Sequence, residues 1–192
     1  MRRTRIDDRG FSLVELLISM LLFAVVITIV GSVILSALTA DRRVRDVTGS
    51  TTDGQLVVNV IEATVRNSTA VFVDPDADGV SVFAVARTTA GGSVRCQAWF
   101  YDNAVGAILQ RSSAATIAPP TPGSVNSEWT TLSDRIAPVN DNAGALIPVF
   151  ALEGKRGVAL TFSVEGDSSS RSLFITTVTG RAPQSNVSPQ CF

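Results

Sequence analysis

RGFSLVELLISMLLFAVVITIVGSVILSALTA, residues 9–40, decides the fold. From Phe11 to Ala40 the only charge is Glu15, and the 25 residues from Leu16 to Ala40 carry none. A helix rising about 1.5 Å per residue needs roughly 20 residues to cross a bilayer core, so this run is long enough to span. A secretory signal peptide is a poorer reading. Its apolar core is about 7–15 residues and ends at a small-x-small cleavage site. Here Ser36-Ala37-Leu38-Thr39-Ala40 puts Leu38 where a small side chain is required. Arg2, Arg3, Arg5 and Arg9, set against Asp7 and Asp8, place the N-terminus in the cytoplasm and send the rest of the chain outward. A plain single-pass anchor shares that topology but leaves Glu15 unexplained. A carboxylate five residues into an apolar helix costs several kcal/mol, on the order of 3, unless it is paired or lies near the interface.

Composition excludes several chemistries. The chain has 192 residues, 16 basic and 17 acidic, for a net charge of −1, so no basic excess exists to coat a nucleic acid. Histidine is absent, which removes Ser-His-Asp triads, Cys-His dyads and zinc sites built on imidazole. Two cysteines are too few for a zinc cluster or an iron–sulfur centre. Hydrophobic residues make up 45% of the chain and mean hydropathy is +0.29, which excludes disorder of the whole.

Beyond the apolar run the pattern changes twice. Residues 41–67 continue as an amphipathic helix. Val57, Ile61 and Val65 recur every fourth residue, with Leu56, Val60 and Ala63 on neighbouring rows, and no proline occurs before Pro75. Gly49-Ser50-Thr51-Thr52-Asp53-Gly54 is a run of poor helix formers, so the helix either runs on from Phe11 to about Asn67 or breaks at 49–54. From residue 68 the period becomes two. Strands are expected at 70–73, 80–86, 94–101, 107–111, 128–132, 158–164 and 172–178, separated by turn formers at 76–79, 91–92 and 166–170. Ala118-Pro119-Pro120-Thr121-Pro122-Gly123 reads as a loop. A long helix followed by a meander of strands predicts an α+β fold, with the helix packed on one face of an antiparallel β-sheet head.

The N-terminal residues Arg9-Gly10-Phe11-Ser12-Leu13-Val14-Glu15-Leu16-Leu17 resemble the processing site of type IV pilins and of the pseudopilins of type II secretion. A short basic leader ends in Gly, then come Phe, a Glu at the fifth mature position and about twenty apolar residues. The resemblance implies a leader at 1–10, a transmembrane and assembly helix at 11–40, its continuation at 41–67 and an extracytoplasmic β-rich head at 68–192. It implies that prepilin peptidase cuts between Gly10 and Phe11, that Phe11 is N-methylated, and that Glu15 pairs with the N-terminal amine of a neighbouring subunit. Glycine suits the cut, because it leaves the extended bond unobstructed. Weaker likenesses, in Trp99-Phe100-Tyr101-Asp102, Gly106–Arg111 and the 158–164 strand, are to J-type pseudopilins and PilW-type minor pilins. The implied partners are prepilin peptidase, other pilin or pseudopilin subunits, an inner-membrane assembly platform and membrane lipid. The implied location is the inner membrane, then a cell-surface or periplasmic filament. No nucleic-acid partner is expected, although an adhesive or DNA-uptake tip pilin is the alternative that shares this N-terminus. Trp99, Phe100 and Tyr101 alternate in and out of a strand and so read mainly as core.

Cys96 and Cys191 are an even pair in an extracytoplasmic head, which favours a disulfide over two unpaired thiols. Asp74-Pro75-Asp76-Ala77-Asp78-Gly79 matches the first half of an EF-hand-type calcium loop, making Asp74, Asp76 and Asp78 a weak calcium candidate. The match fails at the twelfth position, Val85, where a bidentate Glu belongs, so a solvated hairpin turn is the preferred reading. No cofactor is expected. Lys155, the only lysine, reads as part of a hairpin turn, and Asp134-Arg135 as solvated charge. Glu128, Glu153 and Glu165 show no paired acid/base spacing, so a structural protein is expected and a membrane-anchored enzyme ranks last.

Overall fold

The computed structural model describes residues 12–89, 92–167, 170–181 and 191. The chain divides into two units, residues 1–44 and 45–192. The first is helical throughout its described part from Leu13 and is treated with the candidate site below.

Helix α1 runs unbroken from Leu13 to Arg66, so of the two readings at 49–54 the continuous helix is the one found. Intrinsic propensity disfavours that stretch by about 4 kcal/mol relative to alanine, roughly 1 for each Gly and 0.5 for each other residue. Burial overrides it. Ser50, Gly54, Val57, Ile61 and Val65 form one buried stripe at steps of four, three, four and four. Fully burying aliphatic side chains such as Val57, Ile61 and Val65 contributes about 1.5–3 kcal/mol each. Small side chains at 50 and 54 let a strand approach the helix closely.

Eleven strands follow among the described residues. β1 (Ser68–Pro75), β2 (Val82–Thr88), β3 (Arg95–Asp102), β4 (Ala107–Ser113) and β5 (Thr130–Ser133) form an antiparallel five-stranded meander in chain order. The rest do not extend that meander. β10 (Gly157–Glu165) centres a second sheet, pairing with β11 (Arg171–Thr179) on one side and with β6 (Ile136–Ala137) and β9 (Phe150–Glu153) on the other. β7 (Val139–Asn140) and β8 (Leu146–Ile147) make a two-stranded ladder around the Asp141–Gly144 turn. Pro138 and Pro148 flank these short pieces and lack the N–H that a longer ladder would need.

Strand alternation splits the first sheet into two buried faces. Val82, Ala84, Ala86, Trp99, Tyr101 and Ile108 join Val57, Ile61 and Val65 of α1, together with Leu160, Phe162 and Val164 of β10, in the main core. Phe83, Val85, Cys96, Ala98, Phe100 and Leu109 point the other way. There Ile117 and Trp129, from the β4–β5 connection, and Cys191 cover them. The helix therefore covers one face, and the proline-containing connection helps cover the other. Trp129 meets the rings of Phe83 and Phe100 edge-on, at centroid distances of 6.4 and 6.3 Å.

Candidate assembly segment

Ser12 to Ala40 is the part of the chain whose surface its own fold leaves uncovered. Every large apolar side chain from Leu13 to Leu38 is 48–75% exposed, and the most apolar 18-residue window of the helix, mean hydropathy 2.8, is 0% buried. A soluble helix shows one apolar stripe, whereas one that is apolar all round belongs in lipid or among other apolar helices. The polar side chains fit that setting. Thr28 Oγ1 donates to Ala24 O at 2.8 Å, Ser32 Oγ to Ile29 O at 2.7 Å and Thr39 Oγ1 to Leu35 O at 3.1 Å. Returning a hydroxyl to the helix backbone removes the cost of leaving it unpaired in hydrocarbon.

Glu15 sits in the first turn of α1, where Leu16 N donates to Ser12 O at 3.1 Å. A carboxylate there is favoured by the positive end of the helix dipole. It is exposed, and among the described residues it has no hydrogen-bond or ion-pair partner. Gly10 and Phe11 lie outside the described residues. A prokaryotic N-terminal methylation motif matches residues 5–31, taking in Gly10, Phe11, Glu15 and the apolar run as far as Gly31. The chain is type IV pilin-like. Neither the curated proteins nor the solved structures contain a match to it. The motif is the substrate signal of prepilin peptidase, and pilins assemble with other pilin subunits. The motif and the apolar helix support a membrane-anchored, single-pass protein, and the motif points to a structural role.

In the head of this pilin-like chain, Cys96 and Cys191 form a disulfide with Cα atoms 5.4 Å apart. Both are fully buried. The bond lies on the face of the first sheet away from α1 and ties the C-terminal end to β3.

The acidic turn is built as a turn. Asp78 Oδ1 accepts from Val80 N at 2.8 Å and Ser81 N at 2.7 Å, and Oδ2 accepts from Ser81 Oγ at 2.6 Å. The Ser81 hydroxyl, with the two backbone donors, holds the Asp78 carboxyl below its usual range. Asp76 accepts from Ala77 N through its side chain and from Gly79 N, at 2.9 Å, through its carbonyl. Gly79 takes a φ of 70°, the left-handed conformation that favours glycine. Asp74 is exposed on β1. Among the described residues no three acidic, Cys or His side chains are grouped to hold a metal ion.

Ser81 Oγ also accepts from Asn103 N at 3.1 Å, which joins this turn to the β3–β4 turn. Beside it the fully buried Asp102 accepts from Ala104 N at 2.9 Å and from Gly123 N at 2.8 Å. One carboxylate thereby anchors the 118–123 loop. Tyr101, also buried, has its phenol pushed up to about 12 by burial, with the negative charges of Asp102 and Asp78 adding to it. Sequence reading missed Asp102. Its position at the end of an apolar strand, next to an Asn-Ala turn, was the available signal.

Arg135, read from sequence as solvated charge, is exposed and is also a hub. Its guanidinium meets Asp167 at 2.8 Å, Asp53 at 3.3 Å and Asp134 at 3.6 Å. Those acids come from the β10–β11 turn, from α1 and from its own neighbour. Distance along the chain hid the arrangement: 82 residues separate Arg135 from Asp53.

Proposed function

We propose that this chain is a minor subunit of a type IV pilus or of a type II secretion pseudopilus, with a tip-type head. Prepilin peptidase cuts after Gly10 and Phe11 becomes an N-methylated N-terminus. Glu15 then pairs with the N-terminal amine of a neighbouring subunit, while the apolar helix packs with other helices in the filament. Positive-inside topology puts the head outside the inner membrane, where the oxidising compartment suits the Cys96–Cys191 bond.

The observation that carries this reading is Glu15: a lone carboxylate in the first turn of an apolar, all-round exposed helix, at the fifth position after Gly10. An anchor alone gains nothing from it. An assembly helix gains register, because only one stagger offers the carboxylate a positive partner.

The test is mass spectrometry of the membrane-purified protein, with sheared filaments assayed in parallel. Loss of residues 1–10 and one added methyl on Phe11 are the expected result. Gly10→Leu should stop cleavage. Glu15→Ala should be cleaved normally but enter filaments poorly. Equal incorporation of wild type and Glu15→Ala would overturn the assembly role, and an intact N-terminus in cells with active peptidase would overturn the processing.

A further inference from the structure

The weakest helix-forming stretch of α1 is the stretch that the β10–β11 hairpin grips. Six consecutive poor helix formers, Gly49 to Gly54, lie under it. Ser50 Oγ returns to Val47 O at 3.1 Å and Thr52 Oγ1 to Thr48 O at 2.8 Å, contacts that weaken a helix slightly.

The hairpin meets this stretch at four successive points. Asp46, just before it, accepts from the backbone N–H of Asp167 and from Ser170 Oγ, the latter at 2.7 Å. Ser172 Oγ lies 2.8 Å from Ser50 Oγ and 3.3 Å from Thr51 Oγ1. Arg135 clamps Asp53 and Asp167 together. The Phe174 ring lies where a side chain on residue 54 would be. Arg135 is also the one non-glycine residue among those described with a positive φ, 60°. It is held there while its carbonyl accepts from Glu165 N at 2.9 Å. A non-glycine residue in that region marks a conformation imposed by its surroundings.

We propose that residues 46–54 are a conditional stretch of helix: wound while the β10–β11 hairpin is docked on it, and unwinding when the hairpin lifts. The Asp46, Ser172 and Arg135 contacts are the latch. The buried stripe at Val57, Ile61 and Val65 holds the following turns without the latch, so unwinding stops there. The head's own helix thereby has a joint with a defined release. This inference does not depend on the assembly role of Glu15.

Hydrogen exchange read by mass spectrometry on the full chain in detergent micelles tests it. Arg135→Asn with Ser172→Ala removes the clamp while leaving residue 135 a side chain that tolerates positive φ. Amides 49–54 should then exchange about tenfold faster, with 57–65 and β2–β3 unchanged. Gly49→Ala meets nothing beyond its chain neighbours and its own helix backbone, since no other atom lies within 4 Å of its added methyl. It should slow exchange at 49–54 about fivefold, in the wild-type chain and in the double variant alike. That arm stands even where the double variant fails to fold. Unchanged exchange at 49–54 in the double variant, an equal rise along 45–66, or no effect of Gly49→Ala in the wild-type chain would each overturn the proposal.

Discussion

Gly54→Ala should destabilise the head, against the rule that replacing a helix-interior glycine helps. Propensity alone favours alanine by about 1 kcal/mol. The added methyl, however, falls inside the Phe174 ring. That ring stacks on Phe162 at 5.2 Å with an interplanar angle of 17°, and Ser172 fixes its strand to Ser50. Moving the ring therefore costs part of a stacked pair, about 0.5–1.5 kcal/mol, along with general overpacking of about 1–3 kcal/mol. The net expectation is a loss of about 0.5–3.5 kcal/mol. The sign should reverse once the obstruction is gone: in a Phe174→Ala background, Gly54→Ala should stabilise by about 1 kcal/mol. Urea unfolding of the full chain in micelles, followed by the fluorescence of Trp99 and Trp129, supplies all four corners of the cycle. Both tryptophans are buried in the head and are the only two in the chain. If Gly54→Ala stabilises the wild-type chain, or costs the same in both backgrounds, the close approach of β11 to α1 is not what position 54 serves.

Replacing both cysteines by serine should lower stability by about 4–5 kcal/mol, the entropy of closing a loop this long, because the bond joins residues 95 apart. A loss below about 1 kcal/mol in the same urea assay would show that Cys191 does not pin the far face of the sheet. Tyr101 is the only tyrosine, so absorbance at about 295 nm reports it alone. With its folded-state value near 12 and an ordinary value of 10, it is protonated in both states below pH 10. Above that the unfolded chain releases the proton first, so stability should fall between pH 10 and about 12. A reversible titration of the folded protein near 10 would refute the burial argument.

Much of the architecture was legible because it rests on local periodicity. Residues 11–40 carry a single charge, Glu15, and are predominantly apolar on every face, so they need no partner pattern to be read as a spanning helix. β1 to β4 and the β10–β11 pair are long enough for period-two alternation to register, and Asp76-Ala77-Asp78-Gly79 carries its own turn chemistry. β6 to β9 were not legible. Strands of two to four residues have no period, and Pro138 and Pro148 argue locally against strand. The methylation motif was legible for a different reason: it is written in near neighbours along the chain, Gly10, Phe11 and Glu15 among them, rather than assembled by folding.

The stretch 49–54 shows where local reasoning fails and why. Glycine, serine and threonine read as helix breakers only if the helix must stand alone. Here four of the six have a tertiary use: Ser50 and Thr51 lie against Ser172, Asp53 bonds to Arg135, and Gly54 makes room for Phe174. A larger, better helix former at 50 or 54 would hold the hairpin away and expose Phe162, Val164 and Val178 of the main core. Selecting for docking and selecting for helix propensity thus pull in opposite directions at these positions, and docking wins by several kcal/mol, on the order of the burial of two aliphatic side chains. The same residues that make α1 look broken in sequence are those that let it carry the second sheet.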